Sequence, residues 1–505
     1  MATSNKNYSK IVVLGASGYI GARLVSELLQ QGYSVKACGR SLQKLIKRPW
    51  KDEKNVQLAE FDVFDEQSLR NVIRGSEVAY YLLHSMDPGE SDFAEADKRA
   101  AENMLRAAEE SGIKRIVYLG GLGEKDQTLS KHLQSRIEVG EILQSGEIPT
   151  TVLRAAMIIG AGSASFEILR YLVERLPVMI TPKWVRTEAQ PIAVRNVVNY
   201  LVRCLETEST AGNTYDIGGP DILSYQELME IYSREAGLWK RLIIPFPVLT
   251  PRLSSYWIHL VTPVHSSIAR PLAQGLSNKV VCLENRIRDE IPQELLDCKT
   301  AIKLALDQTQ HNLIRDVDDH SDLTPPLEWT YPGDDDWAGG SVYEDHRVVE
   351  IKATPEEVWK PLLKIGGKNG WYYADWLWKI RGLMDNLVGG IGMRKGRTDP
   401  DNLNEGDMVD FWRIEQVRDF RRLLLKAEMK LPGSAILDFS IVTKENDTVE
   451  LHQIARFIPR GLGGILYWYS VSPLHELIFT GMLTRIAQLV GKPIIRGPEK
   501  FSVHS

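Results

Sequence analysis

The sequence predicts a parallel, doubly wound α/β sheet with a small mixed lobe, followed by a separate α+β domain. Three observations predict it. Short apolar runs alternate with helix-periodic segments from residue 10 to 155. An acidic, proline-rich break follows at 316–341. Beyond it, apolar and polar residues alternate over several long runs. At 505 residues the chain exceeds what a single core fills. KIVVL (10–14) is a continuous apolar run and reads as a buried strand. Tyr19 to Gln30 is helix-periodic, and Gly32 stands where a C′ glycine ends a helix. YSVKAC, VQLAEF, VAYYLL, RIVYLG and TTVLRA are the strands that follow. Between them, 92–111 has a polar start, a helical period and Gly112 as its stop. Such β-α alternation calls for a parallel sheet with helices on both faces. The first domain is therefore set at 1–160.

From 161 to 325 the pattern is mixed. SFEILRYLVERL and RNVVNYLVRCL are amphipathic helices, and YDIGG is a short strand. Ser224 and Glu227 form a capping-box signature for the next helix. This part reads as a substrate lobe. The break is acidic, rich in proline and closed by glycines, and 326–341 is expected to be a linker. From 342 to 505, HRVVEIKA, MVDFWRIEQV, RLLLKAEM, AILDFSIV and VELHQIARF read as strands, the last four alternating as antiparallel strands do. Thr354, Pro355 and Glu357 mark a helix start. Pro473 to Val490 is expected to be one amphipathic helix. The run GLGGILYWYSVSP (461–473) before it reads as a glycine-rich loop, a lid or membrane-touching edge.

Composition excludes several functions. The net charge is −5 with no one-sign block, so nucleic acid is not an expected partner. The four cysteines, Cys38, Cys204, Cys282 and Cys298, form no CxxC pair and no disulfide framework. A reducing, cytoplasmic setting is expected, and the polar N-terminus shows no signal or transit pattern. No apolar run approaches the ~20 residues of a membrane span; peripheral membrane contact is left open. His259 and His265 have no paired carboxylate beside them, so no metal site is expected.

GASGYIG (15–21) directly follows the first strand and opens the first helix. In that context the glycines have separate tasks: Gly15 for the turn, Gly18 for approach of a pyrophosphate, Gly21 for close helix packing. Free N–H groups at the helix start then face the phosphate charge. This is a Rossmann-type dinucleotide site. The second strand ends in Cys38-Gly39-Arg40, with no acidic residue to accept from a ribose 2′-hydroxyl. Arg40 can pair with a 2′-phosphate, so NADP(H) is preferred and NAD(H) is the alternative. Asp62 either meets the adenine edge or caps the next helix. Ser17, Tyr19 and Ile20 of the loop are further expected cofactor contacts. Val63, Leu83 and Gly120 at strand ends complete the expected set.

GASGYIG, Arg40, FDVFD, VAYYLLHSM, RIVYLGG and TVLRAAMIIG together resemble the NmrA-like, atypical branch of the short-chain dehydrogenase/reductase superfamily. The resemblance covers roughly 1–320. GWYYADWLWKIRGLMD, GGIGMRKGRTDP, GDMVDFWRIE and AEMKLPG resemble an uncharacterised domain that follows such modules. Its pattern suggests a helix-grip fold similar to START and Bet v 1-type proteins, and the resemblance implies a pocket there. Typical superfamily members carry Tyr and Lys four apart on the helix after the fifth strand, and Ser or Thr at that strand's end. This chain has His132 and Arg136 on the helix and Gly120-Gly121 at the strand end.

The i,i+4 spacing puts His132 and Arg136 on one helix face. A neutral His can give or accept a proton near pH 7, and Arg136 can hold ribose hydroxyls. The alternative is that His132 packs or caps and Arg136 pairs with Glu124 or Glu138. His84 ends the fourth strand, where ligands of such sheets bind, and Ser85 can supply the missing hydroxyl. Trp371, Tyr372, Tyr373, Trp376 and Trp378 are expected in the core, with the lining of an apolar pocket or an interface as the alternative. The expected function is an NADP(H)-dependent oxidoreductase acting on a carbonyl or enone of a small apolar molecule. The alternatives are a cofactor-binding sensor or assembly factor without turnover, like NmrA-type regulators or an accessory subunit of respiratory complex I, and a helix-grip lipid carrier with a vestigial first domain.

Overall fold

The computed structural model describes residues 8–84, 93–123, 129–245, 260–314, 324–392, 396–397, 399, 402–444 and 447–501. Ser85, Glu124 and His259 lie outside the described residues. The chain divides into two compact units, 1–308 with 321–340, and 309–320 with 341–505.

The first unit is built on β1 (Lys10–Leu14), β2 (Ser34–Gly39), β3 (Val56–Glu60), β4 (Val78–Tyr81), β5 (Arg115–Gly121) and β6 (Thr150–Ala155). Its helices begin with α1 (Tyr19–Gln30), α2 (Leu42–Leu45), α3 (Glu66–Ile73), α4 (Phe93–Ser111) and α5 (Lys131–Gln144). Short pairs follow, from β7 (Ile158–Ile159), β8 (Val178–Thr181), β9 (Glu188–Ala189) and β10 (Ile192–Ala193). Next come β11 (Thr214–Ile217), β12 (Leu223–Ser224) and β13 (Leu242–Pro245). Helices α6 (Ala164–Arg175), α7 (Val194–Arg203), α8 (Tyr225–Glu235), α9 (Ser266–Gly275), α10 (Arg286–Glu290) and α11 (Cys298–Ile314) complete the set. Every strand of the main sheet is parallel, in the order β11-β6-β5-β4-β1-β2-β3. One face of this sheet packs on α1 and α7 through Leu24, Leu28, Val197 and Leu201. The other packs on α3 to α5 through Leu69, Met104 and Val139.

Two boundaries differ from the sequence reading. YDIGG was expected in the lobe, yet β11 completes the main sheet by pairing with β6. The chain therefore returns to the first domain after leaving it at 160. The expected linker 326–341 is instead a strap on the first unit. The Ala161 N–H donates to the Glu328 carbonyl at 2.9 Å, and Arg195 pairs with the Glu328 carboxylate at 2.7 and 3.0 Å. The Tyr171 hydroxyl donates to the Trp337 carbonyl at 2.9 Å, and the Gly339 N–H to Glu167 at 3.0 Å. Asp334, almost fully buried, binds Arg23 at 3.1 Å and Arg48 at 2.5 Å. Composition suggested a linker because these partners lie far away in the chain.

The second unit carries β14 (Tyr343–Ile351), β15 (Met408–Val409), β16 (Trp412–Arg418), β17 (Arg422–Ala427), β18 (Gly433–Thr443), β19 (Val449–Pro459) and β20 (Ile494–Lys500). They form one antiparallel sheet in the order β15-β16-β17-β18-β19-β14-β20. Helices α12 (Pro355–Leu362), α13 (Asp375–Leu387) and the long α14 (Gly461–Val490) accompany it. The run 461–473 is not a loop or a lid: it is the first half of α14, with Pro473 inside the helix. A Cβ on Gly464 would stand 2.3 Å from the Pro432 carbonyl oxygen, so this glycine serves close packing. Trp468 is buried, stacked on Phe457 at 5.9 Å. The aromatic run 371–378 divides. Trp371 and Trp378 stack at 4.9 Å in the core, while Trp376 is exposed. No helix among the described residues is long and apolar enough to cross a membrane.

Candidate functional site

β1 stops at a turn that only glycine accommodates. Gly15 has φ +93°, and a Cβ there would lie 2.8 Å from the Leu82 carbonyl oxygen. The Gly15 and Ala16 N–H groups both donate to the Cys38 carbonyl, at 3.0 and 2.9 Å, which ties the turn to the end of β2. A Cβ on Gly21 would sit 2.2 Å from the Gly15 carbonyl oxygen, so α1 rests directly on the turn. At Gly18 the space is open except for that same oxygen at 3.3 Å. The first N–H groups of α1, from Tyr19 and Ile20 onward, have no acceptor within the helix, as at any helix start. They carry the positive end of its dipole. This is a seat for a diphosphate, and the residues present fit one.

The Tyr19 side chain does not face that seat. Its hydroxyl is buried close to Gly160, the Arg23 guanidinium lies over its ring at 3.9 Å, and burial pushes its ionisation well up. Only its backbone serves the loop. Arg48, which sequence reasoning missed, donates to the Ser17 carbonyl from below the loop. Nothing in the spacing of KRPW signals this, because its partner Asp334 is 286 positions away.

Beyond β2 and β3 an open cleft is lined by Arg40, Glu60, Phe61, Asp62, Phe64 and Ser68. Asp62 does not cap α3. Its carboxylate accepts from the Phe64 N–H at 2.9 Å, and Asp65 caps instead, accepting from the Gln67 and Ser68 N–H groups at 3.0 and 3.2 Å. Glu60 is a second residue the sequence reading missed. It accepts from the Leu42 N–H at 2.8 Å and places an acid in the same cleft as Arg40. Val63 is buried in the core and its carbonyl accepts from Asn103 at 3.0 Å, which leaves its side chain turned inward.

On the other side of the loop the structure brings His84, His132 and Arg136 together at the carboxyl ends of β4 and β5. Arg136 is buried and donates to the Leu83 carbonyl at 3.4 Å. The Tyr118 hydroxyl donates to the Arg136 carbonyl at 3.1 Å, and Ser135 donates to buried Asp97 at 2.9 Å. These bonds fix α5 so that His132 and Arg136 face the strand ends. Burial first, and the Arg136 charge second, push His132 down to about 3. His84 is also lowered, by crowding protein atoms and then by Arg136. The residue itself is exposed, which lessens the part that burial plays in this lowering. A Cβ on Gly121 would come within 3.1 Å of Leu133 and 3.5 Å of Arg136. The glycines at the end of β5 therefore let α5 approach, and a side chain on either would require Tyr118 or Leu133 to shift.

His132 forms part of the wall of a cavity of about 160 Å³ beyond β5 and β6. Leu122, Met157, Leu169, Leu272 and Leu276 make that wall mostly apolar. Tyr225 is the other titratable group there, its ionisation pushed up by burial.

Residues 7–251 match the model of the NmrA-like family. They are an NmrA-like NAD(P)-binding domain. Residues 337–482 match DUF2867, a family of proteins of unknown function. Over 242 residues the chain is 27% identical to the mitochondrial NADH dehydrogenase [ubiquinone] 1 alpha subcomplex subunit 9 of Arabidopsis thaliana, covering 47% of this chain and 60% of that protein. It is 24% identical over 225 residues to the chloroplastic divinyl chlorophyllide a 8-vinyl-reductase of the same plant, covering 42% and 53%. The chain thus spans little more than half the length of these relatives. Among solved structures, the Citrobacter sp. triphenylmethane reductase complexed with NADP(H) has 18% identity and a TM-score of 0.48, over 58% of this chain and 99% of that one. The NmrA-like domain accordingly presents its phosphate seat between an open polar cleft and a small apolar cavity.

Proposed function

We propose that the NmrA-like domain is an NADP(H)-dependent oxidoreductase that reduces a carbonyl or enone on a small apolar molecule. The observation that carries this reading is the apolar cavity with His132 in its wall, at the strand ends next to the diphosphate seat. The loop and the α1 start would hold the diphosphate, and Arg40 in the open cleft would meet the 2′-phosphate. The nicotinamide, when bound, supplies hydride. The chain's own residues do the rest. The cavity wall excludes water and orients an apolar substrate. His132 is neutral at pH 7, so it would offer an N–H hydrogen bond to the carbonyl oxygen as hydride arrives, and the proton that completes the reduction would come from solvent at the open end of the cavity. Burial first and the Arg136 charge second keep the ring neutral. At about 160 Å³ the cavity takes the reacting end of a substrate and leaves the remainder outside.

The second reading, a cofactor-binding accessory protein without turnover, is favoured by one observation. Arg136 is buried on the Leu83 carbonyl, and Gly120 and Gly121 close the strand end, so the superfamily's proton-handling groups are replaced by packing. The relatedness to a complex I subunit points the same way.

One experiment separates them. NADPH oxidation is followed with apolar quinones and enones, in the wild type, His132→Phe and Arg40→Ala. The oxidoreductase reading expects turnover that drops roughly tenfold or more in His132→Phe with NADPH affinity kept. Arg40→Ala is expected to weaken NADPH roughly tenfold and NADH little. NADPH binding with no oxidation of any acceptor would leave the accessory reading standing.

A further inference from the structure

Between α13 and the first half of α14 in the second unit lies a cavity of about 300 Å³, the lower end of the range for small-molecule sites. It is not the space between the sheet and the second half of α14. That space is filled by Trp371, Phe411, Phe479, Met482 and Ile486. Most of the cavity wall is apolar, and the exceptions are informative. His475 is 6% exposed, and its Nδ1 has no hydrogen-bond partner among the described residues. Trp468 at 4.9 Å and Phe479 at 4.6 Å pack against its ring and hold it in place. Arg381 donates from Nε to the Met429 Sδ at 3.2 Å, and a thioether is a weak acceptor for a guanidinium. Asp385 is the acid in the same wall, but it is engaged by backbone donors, the Lys430 N–H at 2.7 Å and the Gly392 N–H at 2.8 Å. The wall therefore offers a buried imidazole and two cations, Arg381 and Lys430, the second donating from Nζ to the Val388 carbonyl at 3.2 Å, with its carboxylate already turned to the backbone.

The rim is the second observation. Ile380, Met384, Val388 and Leu474 line the cavity and are also exposed to water, by 45%, 62%, 60% and 44%. Contiguous apolar surface of this kind marks a site of interaction, and here it continues the cavity wall outward. We propose that the cavity binds a long-chain carboxylate, its head group paired with Arg381 and hydrogen-bonded by His475, its alkyl chain running out between α13 and α14. Burial holds His475 down at about 4, so its ring is neutral at pH 7 and can donate one N–H to a carboxylate oxygen. An uncharged alcohol of the same length would leave Arg381 with its thioether alone. The inference concerns the second unit and does not depend on the NADP(H) reading of the first.

The test uses the full-length chain and cis-parinaric acid, whose fluorescence rises on binding, displaced by palmitate or by hexadecanol. Palmitate is expected to displace the probe at roughly tenfold lower concentration than hexadecanol, the contribution of a charge-assisted hydrogen bond. Arg381→Gln is expected to abolish that preference, and His475→Phe to weaken palmitate several-fold while keeping the aromatic packing. Leu474→Trp, on the exposed rim and so without a folding cost, is expected to block the probe. Absence of probe binding, equal displacement by the two competitors, or undiminished binding in Leu474→Trp would overturn the proposal.

Discussion

Replacing Asp334 by alanine removes a carboxylate that holds two buried guanidinium groups. The Arg23 and Arg48 side chains are 0% and 3% exposed, and Asp334 is 6% exposed. Its Oδ2 also accepts from the Tyr331 N–H at 2.9 Å. Breaking a buried ion pair from one side costs about 3–5 kcal/mol, because the remaining charge stays buried. Arg23 keeps carbonyl acceptors from Leu327 and Tyr19, both at 2.8 Å, which places the expected loss at the lower end. About 3 kcal/mol lowers the melting temperature of a unit of this size by roughly 4–5 °C. Nucleotide affinity is expected to fall too, since Arg48 braces the Ser17 carbonyl of the phosphate loop. Differential scanning calorimetry of the full chain reads the first effect, and NADPH titration the second. Asp335→Ala is the control, an exposed acid next in the chain. If Asp334→Ala melts within about 1 °C of that control, a shift too small for a lost buried pair, the strap behaves as a linker and the reasoning fails.

Gly21→Ala is expected to abolish nucleotide binding, because its Cβ would lie 2.2 Å from the Gly15 carbonyl oxygen and force α1 off the turn. Calorimetric titration with NADPH checks it, and wild-type affinity in the variant would contradict the tight seat. Acid is expected to destabilise the fold well before the carboxylates titrate. His132, held at about 3, and His346 and His475, held at about 4, all stay neutral in the folded chain. The unfolded chain takes up protons below about 6.5, so it binds more of them and stability falls as pH drops from there towards 4. The upper bound is about 1.4 kcal/mol per pH unit for each group. Urea unfolding between pH 7.5 and 4.5 measures the slope, and His475→Phe is expected to flatten it. A pH-independent midpoint would refute the assignment of buried neutral imidazoles.

The phosphate loop was legible because everything it needs is adjacent in the chain. A buried strand, a turn with φ +93° at Gly15 and a helix start lie within 10–30. The capping box at Ser224 and Glu227 was legible for the same reason, since both hydrogen bonds close over three residues. The glycines of 461–473 misled, because glycine marks loops far more often than close helix packing, and the Pro432 carbonyl that requires Gly464 is distant in sequence. Whether Asp62 caps α3 was not legible either: it stands just ahead of the helix, and only the backbone path gave the cap to Asp65.

By itself, then, the amino-acid order determined the alternation of strands and helices, the diphosphate seat and the antiparallel character of the second half, all set by periodicity, turns and caps that act within a few residues. Tertiary structure alone decided that β11 closes the first sheet, that Asp334 pairs with both Arg23 and Arg48, and that His84, His132 and Arg136 share one corner. Those outcomes depend on which distant groups come within hydrogen-bonding or van der Waals range, and a buried charge or a missing Cβ has no meaning until its partner across the fold is in place.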